Sequence, residues 1–254
     1  MDIQLLMEAA FNLTRSEFWI RKNENLTDRS ALRKFYRYRR RLLKKEPIAY
    51  ILKKKEFYGE TFYINKNVLI PRPETEILVE QATRVIKTPA QVLDIGAGSG
   101  IISIMLAKHT NCRVTAVENS KKALYVLKKN ITAHNVGDRV TPLCADLFPP
   151  LPGKFNVIVS NPPYVSEEEW GELDPMVRDY EPRAALVAGE KGLAIIQRII
   201  ENSPRYLEPG GKLLMEIGYN QKQRVRDILK AAGFSSIDFF NDYSRIPRVA
   251  FGEI

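Results

Sequence analysis

Two short segments carry residue types at spacings that could do chemistry. In LDIGAGSGI (93–101), Gly96, Gly98 and Gly100 form a G-x-G-x-G series directly after an apolar run, with Ala97 and Ser99 between them and Asp94 just before. Glycines so spaced let the chain turn tightly and bring its backbone close to a ligand without an intervening Cβ. Glu118 ends the next apolar run, 22 residues after Gly96. A carboxylate there can accept hydrogen bonds from both hydroxyls of a ribose lacking a 2′-phosphate. Asp146 ends a third run. A dinucleotide fingerprint would read G-x-G-x-x-G, so a nicotinamide site and a plain structural turn remain alternative readings of the loop.

The second segment is SNPPY (160–164). Two successive prolines cannot continue a β-ladder, which puts Asn161 and Tyr164 on a rigid turn at the sheet's carboxyl edge. The carbonyls of Asn161 and Pro162 could together accept both N–H bonds of one planar NH₂ group, with Tyr164 stacked on its plane. Such a nitrogen is a poor nucleophile because its lone pair is delocalised. The site must therefore hold it in line with an activated donor, in a dry pocket. The proton can leave after attack, in keeping with a chain that offers no obvious His or Cys catalyst. Adenine N6, guanine N2 and a glutamine side-chain amide all meet this description, and the motif by itself does not choose among them.

The glycine loop, Glu118 and Asp146 together resemble the S-adenosylmethionine site of Rossmann-like methyltransferases. That resemblance implies that Asp94 orients the loop and the methionine end, that Glu118 holds the ribose and that Asp146 lies near the adenine amino group.

The elements that must position these residues follow from the hydrophobic pattern. Candidate strands are 91–96, 112–118, 140–145, 155–161, 211–218, 236–241 and 248–254, and helical stretches are 101–109, 120–134, 193–206 and 221–232. Apolar strands alternating with helices predict an α/β fold around a mostly parallel sheet, which binds ligands beyond the strands' carboxyl ends. Residues 1–55 instead show short amphipathic helical stripes, Leu5, Leu6, Ala9, Ala10 and Leu13, then Leu32, Phe35, Tyr36, Leu42 and Leu43. Residues 56–70 alternate β-branched and aromatic residues around Gly59-Glu60 and Asn65–Asn67, a hairpin signal, and PRPETE (71–76) is a stiff connector. The expected organisation is a helical domain over 1–55, a hairpin and linker over 56–76, and a catalytic domain over 77–254.

Charge separates the same regions. The 254 residues carry 39 Lys/Arg and 30 Asp/Glu, and 17 of the bases against 9 of the acids fall within residues 1–75, leaving the rest nearly neutral. The surplus points to an acidic partner of the N-terminal region, although a run of charge is also compatible with a solvated helix face. With two cysteines, Cys112 and Cys144, and two histidines, His109 and His134, the chain has little material for a disulfide framework, a metal site or a His-based triad. No metal is expected. No apolar run is long enough to span a bilayer, so a cytoplasmic protein without membrane attachment, acting as a monomer, is the expectation.

Over nearly its whole length the chain resembles the PrmC/HemK family, the N5-glutamine methyltransferases of peptide-chain release factors. The resemblance rests on EPIAYIL and VLIPRPETEILVE within 46–80, VLDIGAGSGIISI (92–104), DLF (146–148), VIVSNPPYV (157–165), VRDYEPRAALVAGEKGL (177–193) and LLMEIGYNQ (213–221). It implies a Rossmann-like seven-stranded catalytic domain behind a small helical domain, S-adenosylmethionine as cofactor, and a release factor's Gly-Gly-Gln loop as substrate. It further implies that Gly96 to Gly100 and Glu118 hold the cofactor with Leu147 lining the adenine pocket. Asn161, Pro162, Pro163 and Tyr164 would hold the glutamine amide, Arg72 and Glu74 would border the active site, and Glu181, Pro182 and Arg183 would cover the substrate. Lys45 and Lys53 stand where the family often has glycine, and Leu147 where some members have an aromatic.

A ribosomal-protein glutamine methyltransferase and an adenine-N6 nucleic-acid methyltransferase are the alternatives. An adenine enzyme must flip its base and needs a recognition region, which the N-terminal third does not display. Nucleic acid is therefore not expected as a direct substrate. The basic run Arg37, Arg39, Arg40, Arg41, Lys44 and Lys45 is instead read as docking an acidic surface of the release factor.

Overall fold

The computed structural model describes every residue except 1, 26, 88, 151, 152 and 190. Four helices come first: α1 (Asp2–Phe11), α2 (Arg15–Arg21), α3 (Arg29–Leu43) and α4 (Ile48–Leu52). Thr14 and Glu17 form a capping box on α2, and Asp28 caps α3 by accepting from the Ser30 and Ala31 amides. Leu6, Ala10 and Ala31 are buried where α1 packs on α3, while Arg33, Arg37, Arg39 and Arg40 are exposed.

A Schellman turn ends α3. Glu46 N–H donates to Arg41 O at 3.3 Å and Lys45 N–H to Leu42 O at 2.9 Å, with Lys45 at φ 63 between them. Glycine usually fills that position because a left-handed backbone crowds any Cβ. Lys53, which closes α4, has φ 57. Both lysines that stand in for glycine thus occupy left-handed backbone.

The hairpin pairs β1 (Lys54–Phe57) with β2 (Glu60–Tyr63) across a two-residue turn, Tyr58-Gly59, at φ 51 and 77. The sequence signal placed the hairpin over 56–70. The observed strands start earlier and stop sooner because the two-residue turn, with positive φ at both positions, sets the register there. Residues 64–70 form an irregular connector. Phe57 and Phe62 are buried, and the Phe62 ring stacks on His134 at 4.4 Å.

Helix α5 (Thr75–Val85) begins inside the PRPETE segment, where no helix was expected. A proline just ahead of the helix and Glu76 in its first turn are the start signal that reading passed over. After it come β3 (Ala90–Ile95), α6 (Ile101–His109), β4 (Cys112–Glu118), α7 (Lys121–Ala133), β5 (Val140–Cys144) and β6 (Phe155–Ser160). Two short helices, α8 (Glu167–Glu172) and α9 (Pro175–Arg178), precede α10 (Ala194–Asn202), β7 (Leu207–Glu216), α11 (Lys222–Ala231), β8 (Ser236–Asn241) and β9 (Pro247–Glu253). The short pair is too brief and too polar to show a helical period. Helix α10 stops four residues before its expected end, and Ser203–Arg205, with Pro204, continue as a 3₁₀ turn. Glu190, within the quoted 177–193 stretch, lies outside the described residues.

The seven-stranded sheet runs β5-β4-β3-β6-β7-β9-β8, parallel from β5 to β7, with β9 antiparallel to both its neighbours. One face is covered by α5, α6 and α7 through Leu78, Ile104, Met105 and Leu127, and the other by α10 and α11 through Ile196, Ile199, Val225 and Leu229. The α/β layering expected from the sequence is present. The chain winds outward from β3 to β5 and then crosses to β6 on the opposite side of β3, which opens a crevice at the carboxyl ends of these strands. No helix among the described residues is long and apolar enough to cross a membrane.

Candidate active site

A cavity of about 350 Å³ lies in that crevice, and both chemical segments reach it. Its lining includes Gly96, Ala97, Gly98, Ser99, Glu118, Asp146, Leu147, Asn161, Pro163 and Arg72, together with Thr75, Pro182, Ala184 and Ala185. Two other depressions, one between α10 and α11 and one at the opposite ends of β3 and β4, lie away from these motifs.

The glycine loop follows β3 with φ of 73, 55 and 86 at Gly96, Gly98 and Gly100. A Cβ at Gly96 would meet no atom within 4 Å, whereas one at Gly100 would stand 2.4 Å from Leu127 Cδ1. The first glycine therefore faces open space, and the last lets α6 pack on α7. Gly96 N–H and Ala97 N–H both donate to Val117 O at 2.9 Å. Glu118 Oε2 accepts Gly98 N–H at 2.9 Å and Oε1 accepts Ser120 N–H at 2.8 Å. Glu118 thus grips the loop, and each of its oxygens keeps a lone pair for a ligand hydroxyl.

Asp94 is completely buried beneath the loop. Its Oδ2 accepts both the amide (3.1 Å) and the hydroxyl (2.5 Å) of Ser103, so it holds the first turn of α6 and acts on the loop only through that helix. Its Oδ1 has no partner among the described residues. Burial pushes the Asp94 carboxyl up to about 7, against the two Ser103 bonds that favour its charged form. At the cavity rim Asp146 is exposed and paired with Arg198 of α10 at 2.8 Å, and Leu147 takes φ 61.

The SNPPY turn is fixed from several sides. Ser160 Oγ donates to Ile95 O at 2.8 Å, which joins its base to the base of the glycine loop. Gln221 Nε2 donates to Tyr164 O (3.0 Å) and Gly192 O (3.1 Å), while its Oε1 accepts Gly218 N–H (2.8 Å). A Cβ at Gly192 would lie 2.2 Å from Tyr164 O, so only glycine fits there. Asn161 donates its side-chain NH₂ to Thr75 Oγ1 at 3.0 Å. The Thr75 hydroxyl donates in turn to Glu216 Oε2 at 2.7 Å.

Not every expected residue reaches the cavity. The Tyr164 ring packs into the apolar cluster of α10 and α11, and its hydroxyl donates to Glu216 Oε1 at 3.2 Å, so it does not lie free to stack on a ligand. Pro162 is buried beside the lining rather than in it. Glu181 is a buried clamp: it accepts Arg72 Nη2 at 2.6 Å and Ile70 N–H at 3.0 Å, which leaves Arg72 at the cavity and ties the linker to the 177–193 stretch. Glu74 stands at the start of α5 outside the lining, and Arg183 is exposed and paired with Glu167. Thr75, Glu216, Gln221 and Asn130 were not read as site residues. Thr75, Glu216 and Gln221 lie in segments quoted for the family resemblance, but their roles depend on contacts that no local pattern records.

The comparisons with known proteins agree with this architecture. Residues 73–174 match the methyltransferase small domain and residues 1–52 the PrmC N-terminal domain. The chain is 39% identical over 258 residues to the release factor glutamine methyltransferase of Geobacter sulfurreducens, covering 100% of this chain and 89% of that one. It is 39% identical over 254 residues to the enzyme of the same name from Clostridium acetobutylicum, covering 98% of this chain and 89% of that one. Among solved structures it resembles a T. thermophilus 16S rRNA methyltransferase in complex with AdoMet and guanosine, with TM-score 0.58, 21% identity, 79% of this chain and 49% of that chain. This last likeness is one of fold. The end-to-end similarity to the bacterial enzymes, together with the two domain matches, shows that the chain belongs to the PrmC/HemK family of release factor glutamine methyltransferases.

Proposed function

We propose that this protein transfers a methyl group from S-adenosyl-L-methionine to the side-chain N5 of the glutamine in the Gly-Gly-Gln loop of peptide-chain release factors, acting as a cytoplasmic monomer. One observation carries the reading. Asn161 donates one Nδ2–H to Thr75, which fixes the orientation of the amide, and its Oδ1, without a protein partner among the described residues, is the acceptor it offers to a substrate N–H in a cavity shared with the glycine loop.

The cavity fits the cofactor. Gly96 leaves open space for it, and Glu118, which lines the cavity, keeps acceptor capacity for ribose hydroxyls. Gly96 to Gly100, Glu118, Asp146 and Leu147 would hold it, with Asp94 supporting them from below. When bound, the cofactor supplies a methyl already activated on a sulfonium, so its S–CH₃ bond breaks as the N–CH₃ bond forms and S-adenosylhomocysteine remains.

The protein's contribution is positioning. Asn161 Oδ1 and the Pro162 carbonyl would accept the two amide N–H bonds, Pro163 and Arg72 would wall the acceptor side, and the buried turn would exclude water. The surplus amide proton leaves after attack, so no strong base is required at Asn161.

The test is incubation of the protein with methyl-labelled S-adenosylmethionine and, in parallel, a recombinant release factor, its Gln→Ala loop variant, whole ribosomes and nucleic acid. Label is expected in the release factor and absent from the variant. Label in ribosomal protein, DNA or RNA instead would overturn the assignment.

A further inference from the structure

Thr75 and Glu216, each 1% exposed, are buried polar groups joined to Asn161 in one hydrogen-bond chain. They come from the start of α5 and the end of β7, separated by 141 residues, and meet at 2.7 Å. We propose that Thr75 and Glu216 are positioning residues for methyl transfer, Glu216 setting the direction of the hydrogen-bond chain Asn161–Thr75–Glu216 so that Asn161 presents its carbonyl, and not its NH₂, to the substrate. This rests on the reading of Asn161 as the acceptor of the substrate amide.

The direction follows from donor and acceptor inventory. An ionised carboxylate only accepts. With Tyr164 O–H on Oε1 and Thr75 O–H on Oε2, Glu216 consumes the single hydrogen of each hydroxyl. Thr75 Oγ1 then has only lone pairs to offer Asn161, which must answer with Nδ2. Its Oδ1 is left facing the cavity. Without this constraint either face of the amide could bond a hydroxyl, and a cavity presenting NH₂ would meet the substrate NH₂ donor to donor.

Protonation of Glu216 would undo the arrangement. A carboxylic acid must donate to one of its two hydroxyl neighbours. When it donates to Thr75, the Thr75 hydrogen turns to Asn161 and the amide must rotate to accept it. The charged and titratable groups around Glu216 are Glu74 at the start of α5, Tyr164 after β6 and Arg248 on β9, and Arg248 is itself engaged by Asp242 at 3.1 Å. Burial, aided by Glu74, pushes the Glu216 carboxyl up to about 7, so the switch falls within the working range of pH.

The experiment measures kcat and KM for release factor methylation, cofactor affinity and thermal melting across pH 6 to 9, for the wild type, Thr75→Val, Thr75→Ser and Glu216→Gln. Wild-type kcat/KM is expected to rise with pH through about 7. Thr75→Val keeps shape but removes the hydroxyl, and should lose roughly tenfold to a hundredfold in kcat/KM for the factor with cofactor affinity retained. Thr75→Ser should restore most of it. Glu216→Gln cannot ionise and should flatten the pH limb. The proposal is overturned if Thr75→Val works within about twofold of wild type, if Thr75→Ser is as impaired as Thr75→Val, or if Glu216→Gln keeps the wild-type limb. Failure of the functional reading looks different, since the wild type itself would then not label the release factor.

Discussion

Asn130, buried in α7, donates its side-chain NH₂ to Ser99 O of the glycine loop at 2.8 Å. The same amide pairs with the backbone of Tyr63 as a strand neighbour would, accepting its N–H at 2.8 Å and donating to its carbonyl at 2.9 Å. One side chain therefore finishes the edge of the hairpin and props the loop. Asn130→Leu keeps the volume and strands three backbone groups without partners. At roughly 1 kcal/mol or more for each buried unsatisfied group, it should destabilise the protein by about 3 kcal/mol, on the order of 10 °C in melting temperature. Cofactor affinity, read by calorimetry, should fall with it. Unchanged affinity in a folded variant would mean that the prop does not reach the loop's ligand face.

Lys45 and Lys53 offer a test of stability in the opposite direction. A left-handed backbone costs a residue with a Cβ roughly 1–2 kcal/mol, and glycine gives back part of that gain through its greater freedom in the unfolded chain. Lys45→Gly and Lys53→Gly should each stabilise by about 0.5–1 kcal/mol, visible as a rise of a few degrees in melting temperature. Alanine at the same positions removes the charge and keeps the strain, so it should give no such rise. Equal effects from glycine and alanine would trace the gain to charge instead.

The structure divides the basic run into two kinds of residue. Arg37, Arg39, Arg40, Lys44 and Lys45 are exposed, whereas Arg41 is tied to Glu46 at 2.5 Å and to the Tyr50 and Ile51 carbonyls at 3.4 Å. Charge reversal at Arg37, Arg39, Arg40 and Lys44 together should slow association with the release factor about tenfold at low salt. The difference should shrink as salt rises, and cofactor binding should stay unchanged. Arg41→Glu should lower the melting temperature instead, because it breaks the turn between α3 and α4. Stopped-flow association at several ionic strengths separates the two, and rates in the reversed variant equal to those of the wild type at every ionic strength would make the run a solvated face only.

Buried carboxyls give the fold a characteristic pH dependence. Asp94 and Glu216 are both pushed up to about 7, chiefly by burial. In the unfolded chain each releases its proton near pH 4, so between roughly pH 4 and 7 the folded state binds more protons than the unfolded one, and stability must fall as pH rises. Below that window both states are protonated and above it both are ionised, so this contribution is flat outside it. Melting temperatures measured from pH 4 to 8 should show the decline, and Glu216→Gln should remove its share. An identical slope in the variant would sink the assignment.

Much of the catalytic layer was legible in the residues themselves. Buried parallel strands are rich in apolar residues, so β4 and most of the other strand ends could be read directly, the antiparallel edge strand β8 showed in its aromatic and β-branched run, and glycine and proline spacing marked the two loops that line the cavity. Lys45 and Lys53 were marked only by the family resemblance, as positions where glycine is frequent, and both have positive φ. Position along the chain also marked Glu118, Asp146 and Asn161 as candidate ligand groups, because in a parallel sheet ligands bind beyond the strands' carboxyl ends, and all three line the cavity.

Only the tertiary structure decided what those side chains are bound to. The partners of Asn161, Glu181 and Asn130 lie 86, 111 and 67 residues away, respectively. A hydrogen bond across such a separation leaves no period and no spacing in the sequence. It exists because packing the helices on the sheet brings the start of α5, the end of β7 and the SNPPY turn to one buried point. There each polar group must find a partner or bear the cost of burial. The sequence by itself determined that an amide at position 161 stands at the end of a strand beside the glycine loop. The packed core decided which face of that amide is engaged by the protein.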